Sequence, residues 1–495
     1  MAIGYGNTGR ITSDVHSHAR EILFDRGLRE EIENSLMYLC TVDLAHVLML
    51  AEEGIIPAQK AGRLLKAVQL LMNQGFEPLK HRQASRGLYL LYESYLIENE
   101  GASVGGILQM GRSRNDLNAT IARLATRRQY IQLVRSALHL QAAVIKRAQL
   151  YQAVVMPAYT HGQAAEPITY GHYLAGIGTA IERDICGLIS AADDMDTCVL
   201  GAGAVAGSCL PLNTSRTAEL LGFTRVSRNS VDAVASRDFV LRLLASMAVY
   251  GTTLSRIATD LLQWLTAEFN FLSLPDTLVG SSSAMPQKRN PFILEHVQGR
   301  TASALGAFVT ATSATRNVPF TNNIGVGTES MRPLWQAFTD ITDASMLCRL
   351  MICGATPRSS TMRGRAAEGF THATALATKI ALRTGIDFRT AHFIVGKGIH
   401  EKLTKGLLGL PEIHGISLDS FLEEVSPESC VRANRWGGGP APESLALQLR
   451  DLRTMWFERQ RSIKAQEVRW QTAAMRLHNG VTTFCHRALT DCPAS

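Results

Sequence analysis

Gly280-Ser281-Ser282-Ser283-Ala284-Met285-Pro286-Gln287-Lys288-Arg289-Asn290-Pro291 is the stretch around which the chain is organised. Gly280 and the serines leave its backbone free. Pro286 and Pro291 fix their own φ and push the residue before each out of the helical basin. A long apolar-periodic segment precedes this loop and another follows it. Hydroxyls, one lysine and one asparagine between two long helices suit chemistry better than packing.

Working outward, the spacing of apolar residues predicts helices over 116–155, 168–195, 231–265 and 292–313. The first carries Leu117, Ile121, Leu124, Ile131 and Leu138, and Pro157 is expected to stop it. The third carries Val240, Leu243, Leu244, Met247 and Leu254, interrupted by Gly251. Few runs alternate with period two. Segments this long exceed ordinary globular helices and point to a bundle completed by other subunits. The expected fold class is all-α. Expected domains are 1–112, a central long-helix domain over 113–364, a small helical domain over 365–449, and a docked extension over 450–495 that frays. Residues 1–20 read as a polar arm.

Composition narrows the function. The chain has 495 residues, 46% hydrophobic, 19% charged and only 6% aromatic, with formal charge +7. The cations are scattered rather than run together, which speaks against nucleic acid and fits an anionic small substrate. Nine cysteines, an odd number with no CxxC pair, favour a reducing cytoplasm. No apolar run reaches membrane-spanning length, and the first residues lack the pattern of a secretion signal. No metal-ligand set is present, so neither metal nor cofactor is expected.

Four stretches have the residue types for chemistry. Gly111-Arg112-Ser113-Arg114-Asn115-Asp116 opens the first long helix, where free N–H groups, the dipole, arginine and asparagine together suit a carboxylate. The plainer alternative is a cap at Asn115 or Asp116. Tyr159-Thr160-His161-Gly162-Gln163 sits between two helices, with a hydroxyl and an amide flanking the histidine. Ser236-Arg237-Asp238 lies inside the third predicted helix, as substrate contact or interhelical ion pair. In the serine loop, an oxyanion of serine in a dehydrated site could be held by Lys288 and backbone N–H groups.

Together these stretches resemble the fumarase/aspartase superfamily, and most closely argininosuccinate lyase. The superfamily's Gly-Ser-Ser-x-Met-Pro-x-Lys-x-Asn-Pro signature is nearly met by residues 281–291, with Ser281 at the glycine position. Asn229-Ser230-Val231-Asp232-Ala233-Val234, Phe388-Arg389-Thr390-Ala391-His392 and Gly438-Gly439-Pro440-Ala441-Pro442-Glu443 extend the resemblance, which covers roughly residues 15–450. It implies three mostly helical domains and a homotetramer whose central helices form one bundle, each active site drawing on three subunits. It also implies reversible elimination of an amine from an N-substituted aspartate, giving fumarate. By motif position Ser282 would be the base, with Lys288 and Asn290 holding the dianionic intermediate. Arg114, Asn115 and Thr160 would bind the succinyl carboxylates, with Ser113 as a further substrate contact. Ser283, Gln163 and Arg237 would add contacts, and His161 would act near the leaving group with Glu295 as its carboxylate neighbour.

The departures are specific. Where argininosuccinate lyases place Asp after Asn-Pro, this chain has Phe292. Their Tyr-Asn-Arg-Asp-x-Gln-x-x-Lys stretch reads Phe320-Thr321-Asn322-Asn323-Ile324-Gly325-Val326-Gly327-Thr328, and their Glu-Asp-x-His reads Arg86-Gly87-Leu88-Tyr89. A site that hydrogen-bonds a polar group discriminates strongly, and losing those groups removes the discrimination. The expected substrate is an N-substituted aspartate other than argininosuccinate, with Phe292 and Phe320 lining the amine pocket. An aminopolycarboxylate is an alternative, with Arg86 or Arg332 binding an extra carboxylate. The other readings are a true argininosuccinate lyase and a catalytically silent, crystallin-like protein.

Overall fold

The computed structural model describes residues 10–11, 13–84, 86–406, 409–413 and 416–490. The first part of the expected N-terminal arm, Cys492 and the end of the tail lie outside them. Five long helices form the centre: α1 (Arg114–Leu150), α2 (Tyr170–Ala191), α3 (Asp238–Leu265), α4 (Phe292–Thr315) and α5 (Arg332–Gly354). Each packs on the next, and α5 returns to α1. Their apolar stripes make one continuous core through Val134, Leu138, Leu174, Ile181, Leu243, Met247, Leu294, Phe338 and Ile341. Gly251, the break in the predicted stripe, has a purpose: a Cβ there would lie 3.1 Å from the Thr301 carbonyl oxygen, so glycine lets α3 approach α4 closely.

Two smaller cores flank the bundle. One is N-terminal, built on Leu36, Leu48, Leu64, Leu65, Tyr92 and Leu96. The other lies in the C-terminal part, around Ile380, Ala391, Leu418 and Phe421. A sixth long helix, α6 (Pro442–Thr490), contributes Leu445, Leu449, Leu452 and Ile463 to the central core and Leu477, Val481 and Cys485 to the N-terminal one. Residue 450, a suggested domain limit, lies inside this helix.

Three local expectations need correction. The first helix ends at Leu150, before Pro157, because the start of α2 folds against its last turn. Gly171 makes that possible: a Cβ there would lie 2.5 Å from the Ala148 carbonyl oxygen. Residues 155–169, partly absorbed into predicted helices, instead form an antiparallel hairpin, β1 (Val155–Thr160) and β2 (Gln163–Thr169). Pro157 and Pro167 face each other across it, a place where neither missing N–H breaks a longer ladder. Ser236-Arg237-Asp238 is not within one helix. A short helix, Ser230–Ala235, stops there, and Arg237 precedes the first residue of α3.

No single described helix is long and apolar enough to cross a membrane. Ser17–Asn34 and Leu36–Glu52 pass that test only jointly, across a 63° bend.

Candidate active site

The predicted carboxylate-binding stretch opens α1. Ser113 is its cap: its Oγ accepts from the Asn115 N–H at 3.3 Å, and Asp116 reaches back to accept from the Ser113 N–H at 2.9 Å. The cap is therefore Ser113, not Asn115 or Asp116, and the pattern is a capping box whose Ser-x-x-Asp spacing is visible in the sequence. Asp116 does more. Its Oδ1 also accepts from Leu117 N–H at 3.0 Å, and its Oδ2 accepts from the N–H groups of Gly201 and Gly203, each at 2.9 Å. Both glycines have positive φ, and a Cβ on Gly203 would lie 2.5 Å from the Gly207 carbonyl oxygen. Only glycine turns both N–H groups toward one carboxylate here. Burial pushes the Asp116 carboxyl up from its ordinary range, and these N–H bonds oppose the shift.

Asn115 is held on both sides. Its Nδ2 donates to the Ala204 carbonyl at 3.1 Å, and its Oδ1 accepts from Asn322 Nδ2 at 2.9 Å. Arg114 beside it is exposed. Beneath this loop Arg112 forms a fully buried ion pair with Asp43 at 2.5 Å. His46 Nε2 donates to the Met110 carbonyl at 2.8 Å, and burial together with Arg112 pushes its pKa down to about 3, so it stays neutral. Arg237 is buried and turned back onto the carbonyls of Ser236 and Val234, at 2.8 and 3.3 Å. Burial and the neighbouring Arg123 push its pKa down to about 9. Asp238 pairs with Arg242 instead, at 2.8 Å.

Thr160, His161, Gln163, the serine loop, Phe292 and Glu295 lie at the opposite end of the bundle. His161 and Gly162 form the two-residue turn of the β1–β2 hairpin, with φ of +53° and +72°, as a primed turn requires. Positive φ is uncommon for any residue but glycine, although histidine tolerates it better than most, and such positions gather at functional sites. Thr160 and Gln163 are partners across this turn, and all four residues are exposed. In the serine loop, Gly280 pairs with Asn290 and Ser281 with Arg289. Ser282 is half-buried, and its Oγ accepts from the N–H groups of Met285 and Ala284 at 3.1 and 3.4 Å. Two N–H dipoles aimed at one hydroxyl oxygen favour its anionic form. Ser283 and Lys288 are exposed. Phe292, 42% exposed, lies against Gly280 at the start of α4; Phe320 is 71% exposed beyond that helix's far end.

One chain does not bring these groups together. The 37 residues of α1 span about 55 Å between Asn115 and the hairpin side. The 24 residues of α4 span about 36 Å between Phe292 and the Asn322 side. Among the described residues no hydrogen bond or ion pair joins His161 to Glu295, which is exposed near the start of α4. Of the candidates for an extra carboxylate, Arg86 donates to the Ser13 carbonyl at 2.7 Å and Arg332 pairs with Glu329 at 3.3 Å. Sequence reasoning missed Asn322 and Ala204 at this site, because their contacts with Asn115 span 207 and 89 residues.

The fold and these stretches have known counterparts. A lyase family model matches residues 74–306. Argininosuccinate lyase 1 of Shouchella clausii is 31% identical over 460 residues, covering 90% of this chain and 92% of that one. Argininosuccinate lyase of Methanoculleus marisnigri is 34% identical over 426 residues, covering 84% and 86%. Among solved structures, an EDDS lyase variant with bound fumarate superimposes with a TM-score of 0.86 at 26% identity, covering 99% of both chains. A class II fumarase from Schistosoma mansoni shares the fold, with a TM-score of 0.66 at 16% identity and coverage of 80% and 90%. The chain belongs to the fumarase/aspartase superfamily of lyases, in its argininosuccinate lyase-like branch. It is a carbon–nitrogen lyase.

Proposed function

We propose that the protein eliminates an amine from an N-substituted aspartate other than argininosuccinate, releasing fumarate. In this reading Ser282 Oγ takes a proton from the carbon next to the distal carboxylate. The electron pair delocalises into that carboxylate, and collapse of the dianion forms the double bond as the C–N bond breaks. Fixed donors where charge develops lower the barrier most. Lys288 and Asn290 supply them from the same loop, and Arg114, Asn115 and Thr160 hold the succinyl carboxylates. His161, oriented by Glu295, gives a proton to the departing amine. Ser113, Gln163, Ser283 and Arg237 stand as supporting contacts, Arg237 from its buried position.

The observation that carries the base assignment is the pair of backbone N–H groups on Ser282 Oγ. The separation of the site's parts along α1 and α4 supports assembly as a homotetramer, since only other subunits could bring them within reach of one substrate. Exposed Phe320 and Phe292 support an amine pocket without the acidic and polar groups a guanidinium would need. Cysteine usage supports a cytoplasmic enzyme. A second reading, argininosuccinate cleavage, is favoured by the names of the curated relatives.

The test follows fumarate absorbance while the purified protein is given argininosuccinate, and separately fumarate with apolar amines, amino acids and diamines. Addition of an apolar amine, with argininosuccinate left uncleaved, is the expected result. Argininosuccinate cleavage at an ordinary enzyme rate would favour the second reading. Inertness toward every N-substituted aspartate would favour a structural, crystallin-like role.

A further inference from the structure

We propose that Asn322 is a positioning residue: it fixes the amide of Asn115 so that a donor, not an acceptor, faces the substrate carboxylate. The inference rests on the reading of Asn115 as a carboxylate ligand. An asparagine side chain has an acceptor on one side and two N–H donors on the other, and the two faces are nearly identical in shape. A carboxylate needs the donor, so the amide's direction decides whether the residue attracts or repels it.

Three contacts set that direction. The Ala204 oxygen is a backbone carbonyl and can only accept, so the group 3.1 Å from it on Asn115 must be Nδ2. Oδ1 then faces Asn322, whose Nδ2 approaches at 2.9 Å and must be the donor. One N–H of Asn115 goes to Ala204 and Oδ1 accepts from Asn322, leaving one N–H as the unclaimed donor of the amide. The Ala204 carbonyl is itself held in place, because Asp116 Oδ2 accepts from Gly203, the residue before it. The Ala204 carbonyl thus sets which way the Asn115 amide faces, and the Asn322 donor on Oδ1 locks it there.

Asn322 lies in the segment 320–328 that departs from the argininosuccinate lyase pattern, two residues from exposed Phe320. The segment continues into a wide helical turn, Gly325–Glu329, that packs against α1. The stretch that changed with the amine therefore also holds the carboxylate ligand, so the two halves of the substrate are read by one piece of chain.

Asn322→Asp keeps the shape and replaces the donor with an acceptor; Asn322→Leu removes the donor at similar size. Fumarate binding is measured by calorimetry, together with the fumarate dependence of amine addition, with circular dichroism melts to show that both variants fold. The expected result is a rise of about tenfold in the fumarate Kd and half-saturating concentration, the loss of one hydrogen bond at a charged-ligand site. The rate at saturating fumarate stays within about threefold, and the dependence on amine concentration is unchanged. If folded Asn322→Asp binds fumarate as tightly as the wild type, the proposal is overturned. A fall in saturated rate with unchanged fumarate affinity also overturns it. If the wild type itself binds no fumarate, the carboxylate reading of Asn115 falls first and this inference with it.

Discussion

Asp116 and Ser282 are built in opposite ways. Asp116 is sealed from solvent and accepts four backbone N–H bonds, two from its own helix start and two from a loop 85 and 87 residues away. Ser282 accepts two N–H bonds from residues two and three positions on, in a loop where Ser283 through Arg289 are all exposed. The end of the bundle that would offer Asn115 to a carboxylate is tied together by these buried bonds before any ligand arrives. The loop that would carry the base is held by contacts within about fifteen residues, and such segments open at low free-energy cost. The difference suggests a division of labour: a prebuilt anchor for substrate, and a loop able to close over it with the reactive oxygen.

The largest effect should come from the loop. Ser282→Ala is expected to slow amine addition to fumarate by about a thousandfold, within the range of general-base losses, while fumarate binding stays near the wild-type value. Rates and calorimetry on the same preparation separate the two; equal losses in both would contradict the division. Next is the anchor. Asp116→Asn presents one oxygen to four N–H groups and should cost about 2–4 kcal/mol of stability in denaturant melts, with weaker fumarate binding. A variant as stable as the wild type would show that the anchor is not what holds this end.

A smaller, pH-dependent effect tests the network below the anchor. His46 has a folded pKa of about 3 against an ordinary 6.5. In the window between those values the unfolded chain binds a proton that the folded one refuses, so stability falls as pH falls, by up to about 1.4 kcal/mol per unit. This part of the stability is fully present above pH 6.5. Its slope should vanish in His46→Gln, which keeps a donor for the Met110 carbonyl, and melts from pH 4.5 to 7.5 read it. The smallest effect concerns the amine. Phe292→Asp should shift preference from an apolar amine toward a cationic one by about tenfold, measured as a ratio of kcat/KM values.

The sequence made the long helices legible because their stripes are long and regular. It made the serine loop legible because Pro286 and Pro291 punctuate it. The β1–β2 hairpin was not legible by period: Pro157, Pro167 and small alanines break the alternation that marks a strand. Its turn did carry a local signal, since His161-Gly162 places glycine where positive φ is needed, but a lone such pair is weak evidence. The break at Ser236-Arg237 was hidden because both residues are compatible with a helix; the buried Arg237 head turns back onto the Val234 and Ser236 carbonyls, local contacts that no apolar period reports. The tie between Asn115 and Asn322 joins residues that no local pattern relates. The family resemblance supplied the chemistry, whereas the geometry of this chain supplied what supports each residue.

The course of α6 bears on how the protein is made. Cys485 Sγ donates to the Gly62 carbonyl across 423 residues, and Leu477, Val481 and Cys485 complete the N-terminal core. At about 5–20 residues per second, a ribosome that has just added Gly62 needs about 20–85 s more to supply its partner. During that time the helices around Leu48 and Leu65 wait with an apolar face uncovered. The N-terminal core is thus completed only once α6 has been made, long after the helices around Leu48 and Leu65.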